Sequence, residues 1–185
     1  MPIFLESPTV VEHWRIFILR NQRLYSLVLT AIFSAVGVVG GSMFEFSVGA
    51  AKVAPVQHLV NLVSGVMLGP WWALTQAFLT SLIRNIMGTG TVLAFPGSMI
   101  GAFFVGWIFR KTKNFLAATF GELIGTGIIG AIVAYPVARW LMGAKGALYL
   151  FIPSFFLSAL VGVIIGYIIL LALNKRSHLK NGHHL

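Results

Sequence analysis

Long apolar runs separated by short clusters of lysine and arginine fill this chain from residue 24 to residue 173, and few folds accommodate that alternation. A helical run of about 20 apolar residues matches the hydrocarbon thickness of a bilayer. Six such runs can be read, at about 24–44, 53–68, 71–87, 92–109, 115–140 and 147–173, the second being somewhat short. Only 9% of the 185 residues are charged and 58% are hydrophobic, against about 25% charged in soluble domains. The expected fold is therefore all-α, an integral membrane bundle of six transmembrane helices. Residues 1–23 are expected as a cytoplasmic or interfacial segment, 24–173 as the membrane domain and 174–185 as a basic cytoplasmic tail.

The cations set the orientation. Arg15, Arg20 and Arg23 precede the first run, Arg110, Lys111 and Lys113 follow the fourth, and Lys175, Arg176 and Lys180 follow the sixth. The opposite side has Lys52, nothing beyond Arg84 in the third connection, and Arg139 and Lys145. The excess of cations marks the cytoplasmic side, so both termini are expected there, and an even number of spans agrees. The net charge of +9 follows from this distribution and calls for no nucleic acid. The chain has no cysteine, which excludes disulfides and thiolate metal sites. Residues 2–22 mix Trp14, Phe17 and Ile18 with Glu12 and Arg15, a pattern suited to an interfacial helix. The run after them is longer than the 7–15 residues of a signal core, so it is expected to stay attached.

The most informative stretch is LTSLIRNIMGTGTVLAFPGSMIG, residues 79–101. Arg84 and Asn85 end one apolar run, a Gly-Thr-Gly turn follows, and Phe95, Pro96, Gly97 and Ser98 open the next. A charge within a span costs about 2.5–3.5 kcal/mol and usually marks a site, although Arg84 could also reach a headgroup with its long stem. Counting 1.5 Å per residue from the outer ends puts Arg84 at a depth of about 6 Å, His58 about 8 Å, Ser98 about 9 Å and Asn61 about 12 Å. Counted from the other side, Thr126 lies about 10 Å from the exterior. These residues converge on one layer, and a pocket open to the exterior follows. Glu122 lies one turn below Thr126 and would form the floor. Its depth differs from that of Arg84 by about two turns, so Asn61, Asn85 or a water could lie between them. A protonated Glu122 bonded to a neighbouring helix is the alternative.

Other residues carry weaker signals. His58 beside Gln57 has no second histidine at helical spacing, which is poor support for a metal. His178, His183 and His184 fall in the polar tail. Trp71, Trp72 and Trp140 sit at span ends, where aromatic belts occur in any case, and Tyr135 or Trp140 could stack on a ligand. Rows of small residues recur every four positions at Ala31 and Ala35, at Gly121 and Gly125, and at Ser154, Ser158, Gly162 and Gly166. Such rows let helices approach closely, usually within one bundle, whereas a row on an outward face could receive another protein's helix. No phosphate-binding G-x-x-x-x-G-K-[ST] loop, no H-E-x-x-H and no nucleophile–base arrangement is present, and no pair of broken helices recurs in two halves. The chain reads as a membrane protein with a pocket and no engine of its own.

Three strings, VQHLVNLVSGVMLGPWWA, LTSLIRNIMGTGTVLAFPGSM and FGELIGTGIIGAIVAYPVA, resemble the ThiW subfamily of substrate-binding (S) components of energy-coupling-factor (ECF) vitamin transporters, assigned to hydroxyethylthiazole, a thiamine precursor. The resemblance covers roughly residues 24–173 and is densest over 53–142. RN-x-x-GTGT-x-LAFPGS and GE-x-x-GTG-x-x-G are specific strings, whereas the A-x-x-x-A of Ala31 and Ala35 is common in any helix. The resemblance implies capture of the solute in the outer half of a multi-pass protein in a prokaryotic plasma membrane, beneath the loop joining the first two helices. It further implies docking of Ala31 and Ala35 on a transmembrane coupling subunit driven by two ATPase subunits, with toppling of the S component to release the solute inside. No cofactor is implied.

The depth estimate nominates Asn61, Arg84, Asn85 and Thr126 as ligand partners, with His58, Ser98, Glu122 and Tyr135 behind them. A neutral heteroaromatic alcohol would suit such a site. Open alternatives are an S component for another vitamin-like solute, an intramembrane enzyme using Glu122 and His58, and an assembly subunit without a ligand.

Overall fold

The computed structural model of the chain describes residues 21–48, 51–141, 143 and 151–181. The segment expected to lie along the interface, up to residue 20, falls outside this range, as do Lys145, His183 and His184. The helices are α1 (Gln22–Met43), α2 (Pro55–Leu68), α3 (Pro70–Ile86), α4 (Ala94–Thr112), α5 (Phe115–Ile124), α6 (Ala131–Leu141) and α7 (Phe151–Asn181). A π-helical segment, Gly125–Gly130, joins α5 to α6 in one continuous rod. The polar connection expected over 45–52 is a short antiparallel hairpin, β1 (Phe46–Val48) against β2 (Ala51–Val53).

Local chemistry explains where the helices begin and end. Asn21 caps α1 by accepting from the Leu24 amide, and Asn114 caps α5 by accepting from Leu116 and Ala117, satisfying amides that the first turn leaves open. Pro55 and Pro70 occupy first helical positions, where the missing N–H costs nothing. Gly69 alone separates α2 from α3 and has φ +83°, and a Cβ there would lie 2.4 Å from Arg110 Nε. Only glycine meets both demands.

The interior carries many polar side chains beside its apolar core, and the exterior is apolar. Ile32, Val36, Ile128, Ile132, Ile164 and Ile168 are exposed, while Gln57, Asn61, Gln76, Arg84, Glu122 and Thr126 are buried. That inversion suits a protein surrounded by lipid, where polar groups face the bundle interior. Three stretches, Gln22–Met43, Phe115–Trp140 and Ile152–Lys175, are long and apolar enough to cross a membrane. α2, α3 and α4 are shorter or more polar, with 14, 17 and 19 residues. They carry most of the buried polar side chains, and α2 is short because its expected first residue, Val53, pairs in the hairpin.

α4 packs against α2, α3, α5 and the π segment, and α7 closes the bundle against α2. Leu62, Val63, Val105, Leu123, Ala159 and Val163 form the main apolar core. The small-residue rows of α5 and α7 are internal. A Cβ on Gly162 would lie 2.3 Å from the Pro55 carbonyl oxygen, and one on Gly125 would lie 2.8 Å from Gly101 Cα. Ala31 and Ala35 differ, lying on an exposed face of α1 with Leu27 and Val39. Because successive helices reverse direction, Arg23, Arg110, Lys111, Lys113 and Lys175 gather at one end. The hairpin and the α3–α4 connection lie at the other.

Candidate functional site

At the hairpin end the bundle forms a small cavity that opens to solvent. Gln57, His58 and Arg84 line it from α2 and α3, and Thr91, Leu93 and Ser98 from the α3–α4 connection and α4. Phe155 and Ser158 line it from α7. Ser158 also accepts from the Ala54 amide at 2.9 Å, tying α7 to the start of α2.

Arg84 organises the upper layer. One terminal nitrogen of its guanidinium donates to Gln57 Oε1 at 2.5 Å, and the other donates to the Thr89 carbonyl and pairs with Glu45. Glu45 lies between α1 and the hairpin, so this ion pair fastens the hairpin segment over α3. The Gly-Thr-Gly turn is shaped around the same residue: the amides of Thr89 and Gly90 both donate to the Arg84 carbonyl, and Thr89 bonds Ser42 of α1 through its hydroxyl. Gly88 has φ +74°, and a Cβ on Gly90 would lie 2.9 Å from Asn85 Nδ2.

Glu122 organises the lower layer. Its Oε1 accepts from Asn61 Nδ2 at 3.0 Å and Thr126 Oγ1 at 3.1 Å and lies 2.8 Å from His58 Nδ1. Asn61 also donates to Ser98 Oγ at 2.9 Å, and Thr126 is 3.1 Å from the Gly97 carbonyl. Four elements meet here, α2, α4, α5 and the π segment. Their close approach depends on Gly97 and Gly101, since a Cβ on Gly101 would lie 2.1 Å from Thr126 Oγ1 and 2.5 Å from Glu122 Oε2. π segments often occur where a helix presents functional side chains, and this one places Thr126 one turn above Glu122. Among the described residues, two buried polar side-chain atoms have no hydrogen-bond partner, Arg84 Nε and Glu122 Oε2.

The family of the chain can be given with this geometry in place. The ThiW family, described as thiamine-precursor transporter protein, matches residues 27–176. The chain belongs to that family. ThiW is a family of transporters and not of enzymes. No curated protein and no solved structure matches the chain.

Within this ThiW member the eight nominated residues take different places. His58, Arg84 and Ser98 line the cavity. Asn61, Glu122 and Thr126 lie directly behind them, fully buried and hydrogen-bonded to one another. Asn85 donates to the carbonyls of Ser81 and Thr91 and pins the connection between α3 and α4. Tyr135 accepts from Arg139 and packs beside Ala131, Ala134 and Leu93. Arg84 and Glu122 have separate partners, as their unequal depths imply. His58 meets the Glu122 carboxyl group, and no group of three or more candidate metal ligands occurs among the described residues. Glu45 and Gln57 were not assigned as the partners of Arg84: Glu45 lies in a loop with no helical rise to fix its height, and rise along α2 does not say which way Gln57 points. The Gly97–Gly101 spacing was a readable signal that passed unused.

Proposed function

We propose that this ThiW member is the substrate-binding S component of an ECF-type importer that captures hydroxyethylthiazole from outside for ATP-driven uptake. The observation that carries the reading is a small, partly enclosed cavity, apolar at Leu93 and Phe155 and polar at Arg84, His58, Ser98 and Ser158, in a chain of a thiamine-precursor transporter family. Pockets for small neutral solutes combine apolar walls with a few placed polar groups in this way. The thiazole ring fits the apolar walls, its nitrogen takes a donor, and its hydroxyl takes a donor and an acceptor.

The gathering of cations at the far end supports cytoplasmic termini and an outward cavity in a prokaryotic plasma membrane. The exposed Ala31 and Ala35 supply a smooth surface for a coupling subunit's helix, through which two ATPase subunits would act. Titration of the purified protein with hydroxyethylthiazole, thiamine and a panel of vitamins tests the proposal. Saturable binding with preference for hydroxyethylthiazole is expected. Preference for another solute would leave an S component with a different cargo, and no saturable binding of any compound would defeat the reading.

A further inference from the structure

Glu122 and His58 form a buried acid–base pair whose hydrogen bonds fix more than position. Glu122 is 0% exposed, and its Oε1 receives Asn61 and Thr126 as well as facing His58 Nδ1. The cavity's other charged group, Arg84, is already matched by Glu45. Charge on Glu122 must therefore be balanced by His58 or removed by a proton, because an uncompensated charge at this depth is costly. Both neutral arrangements have one consequence in common. With a carboxylate, His58 is an imidazolium and both ring nitrogens carry hydrogen. With a carboxylic acid donating to Nδ1, the neutral ring holds its hydrogen on Nε2. A proton on Oε2 would let Nδ1 donate to Oε1 and leave Nε2 bare, but that O–H would be a buried donor without an acceptor, since Oε2 has no hydrogen-bond partner. Nε2 is protonated in both arrangements that satisfy the pair.

His58 lines the cavity, and its Nδ1 is engaged by Glu122. Among the described residues no hydrogen bond engages Nε2, and Nε2 is not among the enclosed polar atoms that lack a partner. The free nitrogen is therefore accessible, on a side chain that lines the cavity.

We infer that His58, oriented by Glu122, presents an Nε2–H donor that selects ligands with an uncharged, unsubstituted sp² ring nitrogen. This rests on the proposed function and deepens it. The donor accepts a free azole and rejects two near neighbours, a ring in which C–H replaces the nitrogen and a thiazolium whose nitrogen is alkylated. A finished thiazolium vitamin belongs to the second class, so the donor separates precursor from product. Glu122 acts as a positioning residue because it touches the ring nitrogen's partner and not the ligand.

The experiment compares hydroxyethylthiazole with its thiophene analogue and its N-methyl thiazolium on the full chain in detergent, with ¹⁵N NMR of the histidine ring. The wild type is expected to bind the thiazole about tenfold to a hundredfold more tightly than either analogue, the range set by leaving a buried donor unpaired. Its Nε2 is expected to be protonated. In Glu122→Gln the bonds from Asn61 and Thr126 hold the amide oxygen at the Oε1 position, where it takes a hydrogen from Nδ1 and leaves Nε2 bare. The preference for thiazole over thiophene should then fall to within about twofold, with the NMR signature moved to the other nitrogen. Should Glu122→Gln fail to fold, the wild-type ratio and its ¹⁵N spectrum decide the matter alone. Equal binding of thiazole and thiophene by the wild type, or a bare Nε2, overturns the inference and leaves the proposed function standing, as does full discrimination in a folded Glu122→Gln. No saturable binding of any of the three overturns both.

Discussion

The two polar layers of the cavity are built differently. The lower layer, around Glu122, draws every partner from a helix or the π segment, and its central carboxylate is fully enclosed. The upper layer, around Arg84, is completed by Glu45 from the connection after α1, whose side chain is 19% exposed. The floor is held between packed helices, although Glu122 Oε2 itself has no hydrogen-bond partner, whereas the roof's ion pair is reached by water at Glu45 and is held from a loop. One layer is thus a fixed floor and the other a roof fastened from a loop. Under the proposed function, the loop-borne ion pair is the contact whose loss would leave the helical floor in place.

The contrast can be broken by mutation. Glu122→Ala should have the largest effect, because it removes the buried group that His58, Asn61 and Thr126 share. A loss of about 3–5 kcal/mol is expected in denaturant unfolding in detergent, together with loss of binding. Gly101→Ala should come next, at about 1–3 kcal/mol, since its methyl group meets Thr126 and Glu122 in a packed crossing. Glu45→Ala should cost about 1–3 kcal/mol of stability, because it leaves the buried Arg84 guanidinium with only Gln57 and the Thr89 carbonyl, and it should speed ligand dissociation in stopped-flow measurements. A cost equal to that of Glu122→Ala would erase the distinction between floor and roof. Ala31→Leu should change stability by less than about 0.5 kcal/mol and leave affinity intact, while uptake by the assembled transporter fails. Simultaneous loss of binding would mean that this face of α1 serves the fold itself.

Much of this was readable before any coordinates. Apolar run length gave the helices, and Gly69-Pro70 marked the turn between α2 and α3. Helical rise put Arg84 on one level with His58, Asn61, Ser98 and Thr126 and Glu122 a turn below, whereas the structure joins Glu122 to His58, Asn61 and Thr126 and gives Arg84 a layer of its own. Rise gives depth along an axis but says nothing about rotation around it. That is why Tyr135 and Asn85 entered the list although neither lines the cavity, and why Asn61 and Thr126 were expected at its surface when they stand behind it. Glu45 was unreadable for another reason: its height depends on a hairpin whose pairing no local pattern announced. The π segment was hidden too, since GTGIIG also fits an ordinary α-helix.

Whether the cavity is the solute's site is tested most directly by filling it. Ala94, in the first turn of α4, lines the cavity outside the Glu122 network, so Ala94→Phe should occupy the space while leaving the floor intact. The dissociation constant of hydroxyethylthiazole, measured by calorimetric titration of the wild type and this variant, gives the answer. Saturable binding by the wild type and none by a folded Ala94→Phe is the expected result. Equal affinity in both would contradict the assignment of this cavity.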